Sequence, residues 1–449
     1  MLKRKIDSFL EDFYQNNKTQ ALLITGTRQI GKSFAIREFG KKHFKHFVEI
    51  NFLETEGAVE AFSSAKNAED LILRITALTN QQLEKGETLI FLDEIQKVPE
   101  IITAIKFLVQ EGSYRYALSG SLLGIELKSV RSLPVGYMTI KEMYPLDLEE
   151  FFEACGVQPK IFEALKKNFD EKRPVDPIVH EKLISLFRLY LIVGGMPAAV
   201  QTYLDTNNIQ SVVAIQQSIL QMYRKDISQY DPESKLYIED IFDLIPAELN
   251  AQNKRFILKN LNENLKFSRY EDSFIWLREA GVALPAYNVE SPTLPLELAK
   301  LRNLFKLFSN DVGLLACQYA QGIQLKILNN EEGINFGSVY ENAVAQELKS
   351  HGFKLYYFNS KKQGELDFVI KHDDKILPIE VKSGKNYERH NALKNVMGNE
   401  EYAIQNAFVL TNENLKTKGK ITYLPIYMMM FIKDFELPNL VYKVDLSGL

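Results

Sequence analysis

The octapeptide Gly26-Thr27-Arg28-Gln29-Ile30-Gly31-Lys32-Ser33 constrains this chain more than any other feature. It stands between an apolar run, ALLIT at 21–25, and a stretch of helical spacing, IREFGKKHF. In a GxxxxGK[ST] loop the glycines let the backbone wrap close to phosphates, while amides at the start of a helix point at the negative charge. The pattern predicts that Gly26, Thr27, Arg28, Gln29, Ile30, Gly31, Lys32 and Ser33 hold the triphosphate of ATP. Lys32 would reach the β- and γ-phosphates, and Ser33 would ligate Mg²⁺. Eight residues of this kind also arise as an unrelated Gly-rich turn, so a second element has to accompany them.

That element is TLIFL at 88–92, a buried strand that ends in Asp93-Glu94 and delivers two carboxylates to its C-terminal end. Asp93 would hold Mg²⁺ through its shell, and Glu94 would orient and polarise the attacking water; the bland alternative is a surface acid pair. Ser119 ends the next strand, in YALSGS, where a hydroxyl could meet the γ-phosphate or the water, or could be an ordinary strand-to-turn serine. Arg131, in SVRSLP, is the first candidate for an arginine finger, against a solvated surface arginine.

Around these residues, strand-like runs (ALLIT, HFVEINF, TLIFL, YRYALS, YMTIKEM) alternate with amphipathic stretches, which implies a parallel sheet with helices on both faces. A chain of 449 residues exceeds a single core of about 100 to 200 residues, so three or four domains are expected. Leu146 to about Tyr230 reads as mainly helical. A compact helical module follows, with a wing-like hairpin near Val282 to Val289. The end is α/β again: a helix at Val339 to Ser350, then strands near Lys354–Asn359, Glu365–Lys371 and Ile376–Lys382.

The composition, 46% hydrophobic and 25% charged, excludes a fibrous or broadly disordered chain. The two cysteines, Cys155 and Cys317, imply no disulfide framework, and acids early in MLKRKIDSFLEDF interrupt any export signal, so a reducing, cytoplasmic location is expected. IYMMMFI at 426–432 is far short of the roughly 20 residues of a membrane helix and reads as a buried strand. A net charge of −4 argues against coating nucleic acid by bulk electrostatics, so any DNA contact needs a local basic surface.

The chain resembles a family of AAA-superfamily ATPases from bacteria and archaea that join an N-terminal ATPase domain to a C-terminal domain of long-unknown function. GTRQIGKS, LIFLDEIQKVPE, LSGSLL, YLIVGGMPAAVQTYL, ILQMYRKDI, FKLFSNDVGLL, GELDFVI and PIEVKSG carry the resemblance in order along nearly the whole chain. It implies an α/β P-loop ATPase with a parallel sheet in which the sensor strand lies between the P-loop and Walker B strands. A helical lid, a winged-helix module and a restriction-endonuclease-like end would follow. The corresponding divisions are 1–145 for the ATPase core, 146–230 for the lid, 231–328 for the winged-helix-like module and 329–449 for the nuclease-like domain. The chain departs from the family at Val135-Gly136-Tyr137, where relatives often carry AGR.

Ser268 to Gly281 reads as a capped amphipathic helix ahead of the wing. Lys254, Arg255, Lys259, Lys266 and Arg269 could meet DNA phosphates, but Phe274, Trp276 and Leu277 fall at core spacing and Glu271, Asp272 and Glu279 would repel them. In the last domain Asp367 and the pair Glu380 and Lys382 lie on adjacent strands. Side-chain alternation gives Glu380 and Lys382 one face, with Glu341 on the preceding helix. The grouping resembles the PD-(D/E)xK nucleases, which implies Asp367 and Glu380 as Mg²⁺ ligands and Lys382 as the group that stabilises developing charge. The alternative is a charged hairpin on a retained scaffold. Lys354, Lys361, Lys362, Lys385, Arg389 and Lys394 offer the basic surface for DNA. The expected activity is a Mg²⁺-dependent, homo-oligomeric ATPase that remodels DNA. Its rivals are a nucleotide switch with protein-binding modules and a nuclease that uses ATP only for assembly.

Overall fold

A computed structural model describes residues 2–65, 67–120, 136–230, 235–251, 254–261, 270–319, 322–329, 331, 336–434 and 443. Five strands make the first sheet: β1 (Ala21–Thr25), β2 (His46–Asn51), β3 (Thr88–Asp93), β4 (Arg115–Ser119) and β5 (Met138–Glu142). Their order is β2-β3-β4-β1-β5, all parallel, so β4 lies between β3 and the strand that feeds the phosphate loop. Successive residues feed opposite faces, as the two-residue period of a strand requires. Leu22, Ile24, Leu89 and Phe91 pack with Ile36 and Phe39 of the helix Lys32–His43. Leu23, Ile90 and Leu92 pack with Ile75 and with Ile101, Ile102, Ile105 and Leu108, one stripe of the helix Ile101–Glu111. Burial on both faces explains why these strands are unbroken apolar runs.

Helices Leu148–Ala154, Pro159–Glu171, Pro177–Val193, Pro197–Thr206, Ile209–Tyr230 and Lys235–Asn250 follow. They share one continuous core with the first sheet and with the C-terminal part of the chain. The turn between the third and fourth of them must be glycine. A Cβ on Gly195 would stand 2.1 Å from the carbonyl oxygen of Leu146, whose own amide donates to Gly195 at 2.7 Å.

The second sheet is mixed. It comprises β6 (Ala283–Val289), β7 (Lys300–Ser309), β8 (Tyr356–Ser360), β9 (Gly364–His372), β10 (Lys375–Lys382), β11 (Ala407–Thr411), β12 (Lys416–Lys418) and β13 (Ile421–Pro425). They run in the order β12-β13-β11-β10-β9-β8-β6-β7, and the helix Gly337–Ser350 lies against β6, β7 and β10.

Two sequence expectations change. The hairpin read as a wing is β6–β7, and β6 pairs in parallel with β8 at Tyr287↔Tyr356, so the hairpin is an edge of the second sheet and that sheet crosses position 328. A free wing and a sheet edge share the same hairpin signature, and the deciding partner strand is distant in sequence. IYMMMFI is a 3-10 helix, Ile426–Phe431, not a strand. It is buried throughout and packed by helices and β13, and a run with no polar position reports burial without reporting period. No described helix is long and apolar enough to cross a membrane.

Candidate active site

β1 ends in a loop whose first glycine has φ +132°, and a Cβ there would stand 2.3 Å from the Met143 carbonyl oxygen and 2.7 Å from Ile30 Cδ1. Only glycine fits that cradle. Gly31, also at positive φ, starts the helix Lys32–His43, so the first amides of the helix face the loop. The Lys32 ammonium donates to the carbonyl oxygens of Gly26 at 2.9 Å and Thr27 at 2.7 Å. Burial pushes Lys32 down to about 8, against the upward pull of Glu94 and Asp93. An ammonium satisfied only by loop carbonyls, beside unused helix amides, fits a triphosphate that would take over its hydrogen bonds.

The two acids at the end of β3 point to different work. Asp93, buried, accepts from the Ser119 hydroxyl on β4 and from the Glu94 amide at 3.0 Å, with Asn51 Nδ2 at 3.5 Å and Arg37 at 3.9 Å. Glu94 leaves the strand in the left-handed region at φ +59°, and Gln96 donates to its carboxylate. With Arg28, Gln29, Lys32 and Ser33, Glu94 lines a cleft of about 650 Å³ whose apolar wall is Met143, Pro197, Ala198 and Met222. Ser119 is thus bonded to the Asp93 carboxylate, and Arg131 lies outside the described residues.

The loop is also tied to the rest of the chain. Arg28 is paired with Asp226, and Thr27 Oγ1 donates to Tyr223 Oη at 3.2 Å, both partners on the helix Ile209–Tyr230. Asn310, directly after β7, donates to the same Tyr223 oxygen at 3.2 Å. Burial raises Asp226, and Arg28 opposes the rise.

In the second sheet, Asp367 Oδ2 accepts from the Val381 amide at 2.8 Å and Lys382 Nζ lies 2.7 Å from Glu380 Oε2, so β9 and β10 bring these three residues together. Two lysines join them. Lys306 of β7, with no exposed surface, lies 2.7 Å from Glu365 and 3.5 Å from Glu341, and Lys254 pairs with Glu341. Burial pushes the Asp367 carboxyl up, but Lys306, Lys254 and Lys382 outweigh it and hold it below its ordinary value. Glu380 goes the other way, raised by burial and by Asp367. Among the described residues, the one group of three possible metal ligands whose atoms lie within 4.8 Å of one another is elsewhere, at Asp147, Glu347 and His351. Glu341, Asp367 and Glu380 are balanced by the ammonium groups of Lys254, Lys306 and Lys382, of which Lys306 is fully buried, and do not fit a divalent ion as they stand. Lys254, expected to face DNA, belongs to this cluster; Lys266 and Arg269 lie outside the described residues. Phe274, Trp276 and Leu277 are core.

Comparison with known proteins bears on the region that holds the first of these candidate sites. The family model of an AAA domain matches residues 18–152. The chain carries an AAA-type ATPase domain. Models of two domains of unknown function match the remainder, DUF8612 at 184–326 and DUF4143 at 336–429. A search of curated proteins gives no match. Among solved structures, the chain is similar to the Walker-type ATPase PABY2304 of Pyrococcus abyssi, at 13% identity and TM-score 0.42, over 71% of this chain and 96% of that one. It is also similar to the Orc1 protein of Aeropyrum pernix, solved in complex with DNA, at 11% identity and TM-score 0.28 over 73% and 91%. A RuvB protein of Thermotoga maritima follows at 14% and 0.27 over 63% and 87%. Likenesses of this size carry no inference about what this chain binds.

Several residues that shape this candidate site escape a sequence reading. Gln96 is legible only as the third residue after Asp93, whereas Asn51 and Arg37 reach Asp93 from β2 and from the phosphate-loop helix. Asp226 sits in the ILQMYRKDI segment, whose sequence shows a helix but not its partner Arg28.

Proposed function

We propose that this chain is a Mg²⁺-dependent ATPase that works as a homo-oligomer and couples ATP binding and hydrolysis to DNA binding or remodelling by its C-terminal part. The observation that carries the coupling is the path Thr27–Tyr223–Asn310, which joins the phosphate loop to the end of β7 through one buried hydroxyl. In this reading the loop amides and Lys32 hold the phosphates, and Ser33 and Asp93 are the residues that would hold Mg²⁺. The ion, when bound, would neutralise charge on the phosphates. Glu94, held by Gln96 at the cleft, accepts the proton of the attacking water, and Ser119 fixes Asp93. An arginine from a neighbouring copy, with Arg131 the first candidate, would complete the charge balance, which is the reason for a homo-oligomer.

DNA is supported by the exposed basic residues Lys354, Lys361, Lys362, Lys385, Arg389 and Lys394 on the C-terminal part. The lysine-balanced cluster at Glu341, Asp367 and Glu380 favours binding over cutting. It also supports a second reading, in which a nucleotide switch drives a protein-binding scaffold. The deciding experiment is the ATPase rate with and without single-stranded, duplex and branched DNA. Stimulation that falls with salt at a slope of about −0.9 per phosphate contact, and less steeply once Lys361, Lys362 and Arg389 are neutralised, is expected. A rate indifferent to every DNA would leave the switch reading.

A further inference from the structure

At the far end of the helix Gly337–Ser350 from Glu341, its last turn carries Glu347 and its C-terminal cap is His351, four residues apart and therefore on one face. His351 Nδ1 lies 2.8 Å from the carbonyl oxygen of Ile432, which can only accept, so Nδ1 carries the hydrogen and Nε2 presents a lone pair. That Nε2 has no hydrogen-bond partner. Glu347 Oε1, 3.5 Å away, has none either. Both side chains are almost wholly buried, at 5% and 0% exposure. Two buried polar atoms facing one another with no hydrogen bond to either are rare in a folded chain and call for a proton or a cation between them.

The third member comes from the other half of the molecule. Asp147 precedes the helix Leu148–Ala154, capping it through the Glu150 amide at 2.9 Å, while the Leu148 amide donates to Glu347 Oε2 at 3.0 Å. One ligand atom from each of Asp147, Glu347 and His351 lies within 4.8 Å of the others. Tetrahedral bonds of about 2.0–2.1 Å put ligand atoms about 3.4 Å apart, so the Glu347–His351 pair already has its spacing and Asp147 needs only a side-chain adjustment.

We propose that Asp147, Glu347 and His351 form a binding site for a divalent transition-metal ion of the zinc class, which clamps the C-terminal helix to the segment that follows the ATPase sheet. One imidazole and two carboxylates suit Zn²⁺, Co²⁺ or Mn²⁺, while Mg²⁺ and Ca²⁺ prefer oxygen alone. The Ile432 carbonyl fixes the tautomer and orientation of the imidazole, as such an outer partner does in metal sites. The competing cation is Lys5, 2.5 Å from Asp147 and 2.6 Å from Glu149; with 44% of its side chain exposed it can swing into water and open the way in.

The test uses the full chain, stripped by chelator and free of nucleotide, titrated with Zn²⁺ by calorimetry and with Co²⁺ by visible absorption. One equivalent should bind and raise the melting temperature, and Mg²⁺ should do neither. His351→Gln should lose at least about tenfold in Zn²⁺ affinity together with the Co²⁺ absorption, and Lys5→Met should bind more tightly. Should His351→Gln fail to fold, Asp147→Asn keeps the capping acceptor and reads the same loss. No Zn²⁺ binding by the parent, or parental affinity in the variants, overturns the proposal.

Discussion

Replacing Lys32 by methionine should make the nucleotide-free protein more stable while destroying its response to ATP. The ammonium is buried and depressed from 10.5 to about 8, chiefly by burial. At about 1.4 kcal/mol for each tenfold change, its charged form costs the fold about 3 kcal/mol. Methionine keeps the length and removes the charge. It also leaves the carbonyls of Gly26 and Thr27 without their donor, at about 1 kcal/mol each, so the net gain is about 1 kcal/mol. In a domain of this size that is a rise of about 2–4 °C. The sign with pH is fixed by the depressed value. Below about 8 both folded and unfolded lysine are charged and the full cost applies; between about 8 and 10.5 only the unfolded state holds the proton, and the parent recovers. The variant's lead should therefore close and then reverse over that window, because the parent regains more than the variant gained. At a hundredfold excess over Kd, Mg·ATP should stabilise the parent by about 2.7 kcal/mol and the variant not at all, reversing their order. Thermal melts with and without nucleotide at pH 7, 8.5 and 10 read all of this. A variant less stable than the parent at pH 7, or a variant lead that grows as pH rises, would refute the reasoning.

Tyr223→Phe removes the hydroxyl between Thr27 and Asn310 and should cost about 1 kcal/mol of coupling, a factor of about five in DNA stimulation, with basal hydrolysis little changed. Paired ATPase assays with and without DNA measure it, and an unchanged stimulation would remove that path from the account. Lys306→Met strips the buried Glu341 and the half-buried Glu365 of their shared, fully buried ammonium and should lower stability by about 3–5 kcal/mol in a denaturant titration. A neutral result would mean that the Lys306 ammonium does not hold these carboxylates in place.

The candidate nucleotide site was legible because its chemistry is local in sequence. A loop that must wrap phosphates needs glycine at fixed places, and an acid pair that must meet it needs a buried strand ahead of it, so Gly26 to Ser33 and Asp93-Glu94 announce themselves. The parallel order with β4 inside followed from the resemblance and is the order found. Partners that arrive from distant segments left no such mark. Asp226, Asn310 and Lys306 are ordinary polar residues until the fold brings them to Arg28, Tyr223 and Glu365. The same holds for the β6–β7 hairpin, whose role depends on β8, and for the run at 426–431, where complete burial erased the period that separates strand from helix. In the C-terminal part, the alternation along β10 placed Glu380 and Lys382 together as expected, while the lysines that balance the cluster come from elements nobody would join by spacing.

The central claim is that the cleft beside the phosphate loop hydrolyses ATP with Glu94 as the group that activates water. Phosphate release by the purified chain and by Glu94→Gln, with ATP affinity measured alongside, tests it most directly. Loss of a positioned general base should lower the turnover by about 10² to 10⁴ and leave ATP binding near the parental value. A Glu94→Gln protein that releases phosphate at the parental rate, or a parent that binds Mg·ATP and never turns it over, would contradict the account.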